Sequence, residues 1–64
     1  MNHFAQNLKH YRKLHNLTQQ QLSNKVGIIR QSLSLYENGD RECTIDNLIK
    51  LTDLFGISVD ELVR

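Results

Sequence analysis

The chain is expected to fold as an all-α domain, on three observations. Its 64 residues include no proline and three glycines, so the punctuation that β-hairpins require is missing. Leu, Gln, Asn, Lys and Arg, which suit short helices, recur throughout. The apolar residues repeat at three- and four-residue spacing from one end to the other. A chain this short lies near the lower limit at which one apolar core suffices without a metal or disulfides, so residues 1–64 are read as one domain.

Five short helices account for almost every residue. Phe4, Leu8 and Tyr11 follow an i, i+4, i+7 pattern that predicts a first helix from about His3 to His15, ended by Asn16. A second starts at Thr18, where Thr18 and Gln21 have the spacing of a capping box; its apolar face is Leu22 and Val26, and Gly27 stops it. Ile28, Leu33 and Tyr36 then hold a third helix, about Ile29 to Asn38, against the second, with Gly39 supplying a left-handed C-terminal turn. A polar loop from Asp40 to Cys43 leads to Thr44, the cap of a fourth helix whose inward face is Ile45, Leu48, Leu51 and Phe55, and Gly56 closes it. Ser58 and Glu61 form a second capping-box pattern, opening a fifth helix held by Val59 and Leu62. Phe4, Tyr11, Tyr36 and Phe55 are read as core filling.

Composition narrows the chemistry. Cys43 is alone, so it can form neither an intramolecular disulfide nor a Cys-rich zinc site, and a reducing cytoplasm suits the chain. His3, His10 and His15 lack the company that metal ligands need, and no metal or other cofactor is expected. No stretch is long and apolar enough to span a bilayer, and no exported leader is expected. There is no nucleophile with a neighbouring base, no paired carboxylate and no phosphate loop, which argues against an enzyme and a small-molecule substrate.

The net charge of only +1 conceals a division. From Met1 to Tyr36 the charged residues are Lys9, Arg12, Lys13, Lys25 and Arg30, without a single acid; from Glu37 onward seven acids face three bases. A dipolar molecule with its basic half turned to phosphates follows. The packing expected of the third helix leaves Arg30, Gln31, Ser34 and Leu35 outward. These side chains can donate to guanine or adenine edges or touch a thymine methyl, so the unit over residues 18–38 reads as a helix, turn and helix for the DNA major groove. A merely solvated face would leave Leu35 and Ile29 exposed without a partner.

Leu8-Lys9-x-x-Arg12, Leu17-Thr18-Gln19-x-x-Leu22, Val26-Gly27-Ile28, Arg30-x-x-Leu33-Ser34-x-Tyr36-Glu37-Asn38-Gly39, Leu48-x-x-Leu51 and Phe55-Gly56-Ile57-Ser58-Val59-Asp60-Glu61-Leu62 together resemble the phage-repressor (Cro, Xre-like) helix-turn-helix family over nearly the whole chain. The resemblance implies a compact five-helix, lambda-repressor-like DNA-binding domain. It implies base contacts from Arg30, Gln31 and Leu35, to which the outward face adds Ser34, and phosphate contacts from Gln19 and Asn38; Lys9, Lys13 and Arg41 are added as basic groups within reach of phosphates. It also implies a partly buried structural ion pair between Arg12 and Glu37. Two positions depart from the pattern. Ile29 stands where Ser or Thr is common, so the third helix is expected to lack a side-chain cap, a loss of roughly 1 kcal/mol. Cys43 stands where proline is common, which leaves the loop before the fourth helix less rigid.

The function expected is that of a sequence-specific, double-stranded DNA-binding transcriptional regulator, repressor-like and cytoplasmic. A homodimer on an inverted-repeat operator is expected, since one reading helix spans few base pairs. Leu54 and Val63, off the inward stripes of their helices, are the candidates for the dimer interface. The alternative is a protein-interaction or antitoxin module on the same scaffold with little DNA affinity.

Overall fold

Three of the five helices begin at a residue whose side chain caps the first turn. In the computed structural model, which describes residues 3–64, the helices are α1 (Phe4–Leu14), α2 (Gln19–Val26), α3 (Arg30–Glu37), α4 (Ile45–Phe55) and α5 (Val59–Val63). The expected bounds ran a residue wider at several ends because they included the capping residues, which lie just outside the helices. Thr18 Oγ1 accepts from the Gln21 N–H at 3.0 Å while Gln21 Oε1 accepts from the Thr18 N–H at 2.9 Å, a closed capping box. Ser58 and Glu61 repeat the arrangement at α5, and Thr44 caps α4 through the Asn47 N–H. Ile29 offers α3 no side-chain cap.

Asn16 stops α1 by taking up a left-handed conformation at φ 58°, which a short polar side chain tolerates. Gly27 does the same after α2 at φ 73°, and nothing lies within 4 Å of where a Cβ would stand. The turn therefore selects glycine for its backbone alone.

The helices pack α1 on α3 and α5, α2 on α3 and α4, and α4 on α5. Between them lie Phe4, Leu8, Leu22, Ile28, Leu33, Tyr36, Leu48, Leu51, Phe55 and Leu62. Phe4 meets Tyr36 edge to face at 5.9 Å, and Tyr11 meets Phe55 at 5.8 Å. Thr52 is buried too, its hydroxyl donating back to the Ile49 carbonyl at 3.0 Å. The start of α1 is clasped to α5: the His3 N–H donates to the Val63 carbonyl at 2.8 Å and Asn7 Nδ2 to that of Leu62 at 2.9 Å.

Four apolar positions depart from the expected pattern. Ile45 and Val59, expected inward, are 70% and 42% exposed. Each is the first residue of its helix, at the margin of the buried arc, so its side chain stays in solvent. Conversely Leu54 and Val63, expected to be left over for an interface, are half-buried and pack against the core. The large apolar side chains left in solvent among the described residues are Leu14, Ile29, Ile45, Ile49 and Val59.

Among the described residues, charge crosses the fold at one place. Arg12 on α1 donates from Nε to Glu37 Oε2 at 2.7 Å and from Nη2 to Oε1 at 3.1 Å, a two-pronged pairing with the last residue of α3. Its Nη1 donates to the Leu17 carbonyl at 2.8 Å, tying in the loop before α2. The side chains are 11% and 3% exposed, so the pair is desolvated and its partners are mutually dependent. Arg12→Ala or Glu37→Ala is expected to cost roughly 3–5 kcal/mol of stability, since either strands a buried charge. The double variant should lose less than the sum in urea melts; additive losses would show that the two side chains act independently.

Candidate nucleic-acid interface

The outer face of α3 follows from its inner one. With Ser32, Leu33 and Tyr36 buried, the rows at three- and four-residue spacing that remain are Arg30 with Ser34 and Gln31 with Leu35 and Asn38. Arg30, Gln31 and Asn38 are exposed; Ser34 and Leu35 are half-buried at the seam. The helix is held from behind by two of its residues, Leu33 and Tyr36, and by Ile28 in the turn before it. Leu33 and Ile28 enter the core, and the Tyr36 hydroxyl accepts from Asn47 Nδ2 on α4 at 2.9 Å.

At the start of α2 the capping box uses the N–H groups of Thr18 and Gln21, while those of Gln19 and Gln20 make no hydrogen bond within the described residues. They form a small electropositive corner, with no acid in the first turn of the helix. The Gln19 side chain has a partner that sequence reasoning missed: its Nε2 donates to Glu37 Oε1 at 3.2 Å. Glu37 thus accepts from Arg12 and Gln19 together, and the amide of Gln19 is oriented with Nε2 toward the carboxylate. No local pattern signals this bond, because the two residues lie on different helices.

Lys9 and Lys13 stand one turn apart on the exposed side of α1, and neither joins an ion pair among the described residues. Arg41 lies in the loop after α3, exposed, with Nη1 3.5 Å from Ser32 Oγ, so it leans back on the reading helix. The electrostatic consequence of the buried pair is large. Glu37 is the first acid of the chain, and its charge is neutralised inside by Arg12. The surface of α1 to α3 is left with Lys9, Lys13, Lys25 and Arg30 and no acid to oppose them.

Elsewhere the chemistry is sparse. Burial pushes the Cys43 thiol up, with a hydrogen bond to Tyr36 pulling weakly the other way, so it stays a neutral thiol near pH 7. Among the described residues no group of His, Cys, Asp and Glu is placed to hold a metal ion. His15 stacks at 5.2 Å on Phe55 and His10 lies edge-on to Tyr11.

Similar proteins carry this architecture. The chain is 39% identical over 61 residues to the uncharacterized HTH-type transcriptional regulator YqaE of Bacillus subtilis, covering 95% of this chain and 53% of that protein. It is 42% identical over 55 residues to the cryptic phage CTXphi transcriptional repressor RstR of Vibrio cholerae, covering 86% of this chain and 49% of the repressor. The chain thus spans about half the length of these two relatives. Among solved structures, the restriction-modification controller protein C.AhdI of Aeromonas hydrophila superposes with a TM-score of 0.85 at 30% identity, over 92% of this chain and 89% of that one. The Helix-turn-helix family itself matches residues 8–62, the whole span from the middle of α1 to the core leucine of α5, and the chain belongs to that family.

Proposed function

We propose that this chain is the DNA-reading domain of a transcriptional regulator, repressor-like in design, with α3 in the major groove of double-stranded DNA. The observation that carries the reading is the outer face of α3: donor-bearing side chains on an acid-free surface, on a helix whose own acid is buried. Arg30 and Gln31 match the edges of guanine and adenine, with Ser34 and Leu35 completing the base-facing surface. Gln19, Asn38, Lys9, Lys13 and Arg41 are assigned to phosphates. Gln19 holds its amide against Glu37 with one N–H and has a second to offer, beside the free backbone N–H groups of α2. The role requires no cofactor and no catalysis. It belongs to the cytoplasm; no helix among the described residues is long and apolar enough to cross a membrane.

A second copy completes the unit. Three or four side chains on one helix discriminate too little to select a site in a genome, so two copies on an inverted repeat are assigned, half-sites about one helical turn apart. Since Leu54 and Val63 serve the core, the apolar groups available are Ile45 and Ile49, one turn apart on α4, with Val59 on α5. Asp46 and Lys50, also one turn apart beside them, carry opposite charges, which suits a two-fold contact where each pairs with the other's counterpart.

Affinity is expected to fall linearly with salt on a log–log plot, by about 0.9 decades per decade for each phosphate neutralised. Lys9→Gln or Lys13→Gln should weaken all sequences alike in fluorescence anisotropy. Binding indifferent to salt would favour a protein-interaction module instead. Arg30→Ala and Gln31→Ala are each expected to lose roughly 1–3 kcal/mol on the best duplex selected from a random library and almost nothing on random DNA. Equal losses on both would reduce these residues to backbone contacts. Ile49→Glu should leave the circular dichroism melt intact while removing cooperative binding to the inverted repeat; a monomeric parent that fills both half-sites independently would dispose of the dimer.

A further inference from the structure

Ile28 and Ile29 are adjacent and have opposite fates. The backbone at Ile29 is extended, at φ −61° and ψ 144°, so successive side chains point to opposite sides. Ile28 goes into the core at 4% exposure, and Ile29 comes out at 65%. Ile29 holds the N-cap position of α3, where its side chain can make no hydrogen bond to the first turn. Serine or threonine there would serve the helix better. The fold thus gains nothing from an isoleucine: it neither caps the helix nor fills the core. Of the large apolar side chains in solvent, it is the one within the unit of α2 and α3, and it immediately precedes Arg30.

Resting on the DNA reading above, we infer that Ile29 is a specificity-determining residue that reads the C5-methyl group of a thymine in the major groove, beside the base edges faced by Arg30 and Gln31. A recognition helix enters the groove by its N-terminal residues, which is where Ile29 stands. In the major groove the thymine methyl is the apolar feature that separates T·A from C·G, and an aliphatic side chain is the group that can bury it. The branched side chain is stiff at χ1, so the contact costs little ordering. Arg30, Gln31 and Ser34 read hydrogen-bonding edges but not the methyl itself, which offers no donor or acceptor; Leu35, the other apolar side chain of this surface, is half-buried and lies more than a turn further along the helix.

The test uses the 64-residue chain and the duplex it selects from a random library. Each thymine of the selected half-site is replaced in turn by deoxyuridine, which removes the methyl and keeps the pairing. At one thymine the parent should lose about threefold to fivefold in affinity, the scale of one buried methyl group. In Ile29→Ser, whose new hydroxyl can cap α3 and so keeps the fold, that position should become indifferent to the methyl while the salt dependence stays unchanged. Ile29→Val should retain the effect. Salt-sensitive, sequence-selective binding that ignores every deoxyuridine, a selected half-site with no thymine, or a methyl effect that survives undiminished in Ile29→Ser at every responsive thymine would each overturn the assignment and leave the DNA reading standing. If no duplex is preferred over random DNA, the DNA reading falls and this assignment with it.

Discussion

The carboxylate of Glu37 is the constraint on which the rest of the structure depends. It terminates α3, lies almost wholly out of water, and accepts from Arg12 on α1 and Gln19 on α2. Arg12 in turn holds the Leu17 carbonyl of the connecting loop. One desolvated carboxylate thereby ties three helices together, α1 through Arg12 and α2 through Gln19. Apolar packing alone could hold them at several similar registers, whereas a two-pronged guanidinium–carboxylate contact tolerates few. Well-packed apolar residues often match a buried pair in stability, so what this pair supplies here is geometry.

The same interaction shapes the electrostatic surface. An acid exposed at the end of the reading helix would repel phosphate; buried against Arg12, it leaves the outer surface of α1 to α3 with bases alone. The acids that bring the net charge down to +1 fall in the second half of the chain, largely beyond this surface. Global charge is therefore a poor guide for this molecule, and its distribution a good one. Gln19 links the two effects, since one amide both anchors on Glu37 and flanks the free N–H groups at the start of α2.

A 64-residue domain has few side chains to divide between core and surface. Ten apolar residues form the centre, and half-buried groups such as Tyr11, Leu17, Leu54 and Val63 close over it. What stays outside is correspondingly informative. Ile45, Ile49 and Val59 fall on α4 and α5, Leu14 ends α1, and Ile29 stands at the entrance of α3.

Much of this was legible in the residues alone. The five helices, both capping boxes, the helix ends at Asn16 and Gly27, the left-handed turn at Gly39, and the inward stripe of Leu48, Leu51 and Phe55 follow from local backbone chemistry and helical periodicity, which act over four residues or fewer. The outward face of α3 follows equally, because Leu33 and Tyr36 leave it no other orientation. Where the reading went astray, at Ile45, Val59, Leu54 and Val63, periodicity gave the direction of the apolar stripe but not its width. That width depends on which neighbouring helix covers each margin, a property of the packed assembly. The bond from Gln19 to Glu37 belongs to the same class: two residues eighteen apart meet only because the packed helices bring the start of α2 to the end of α3, where Glu37 already pairs with Arg12 of α1.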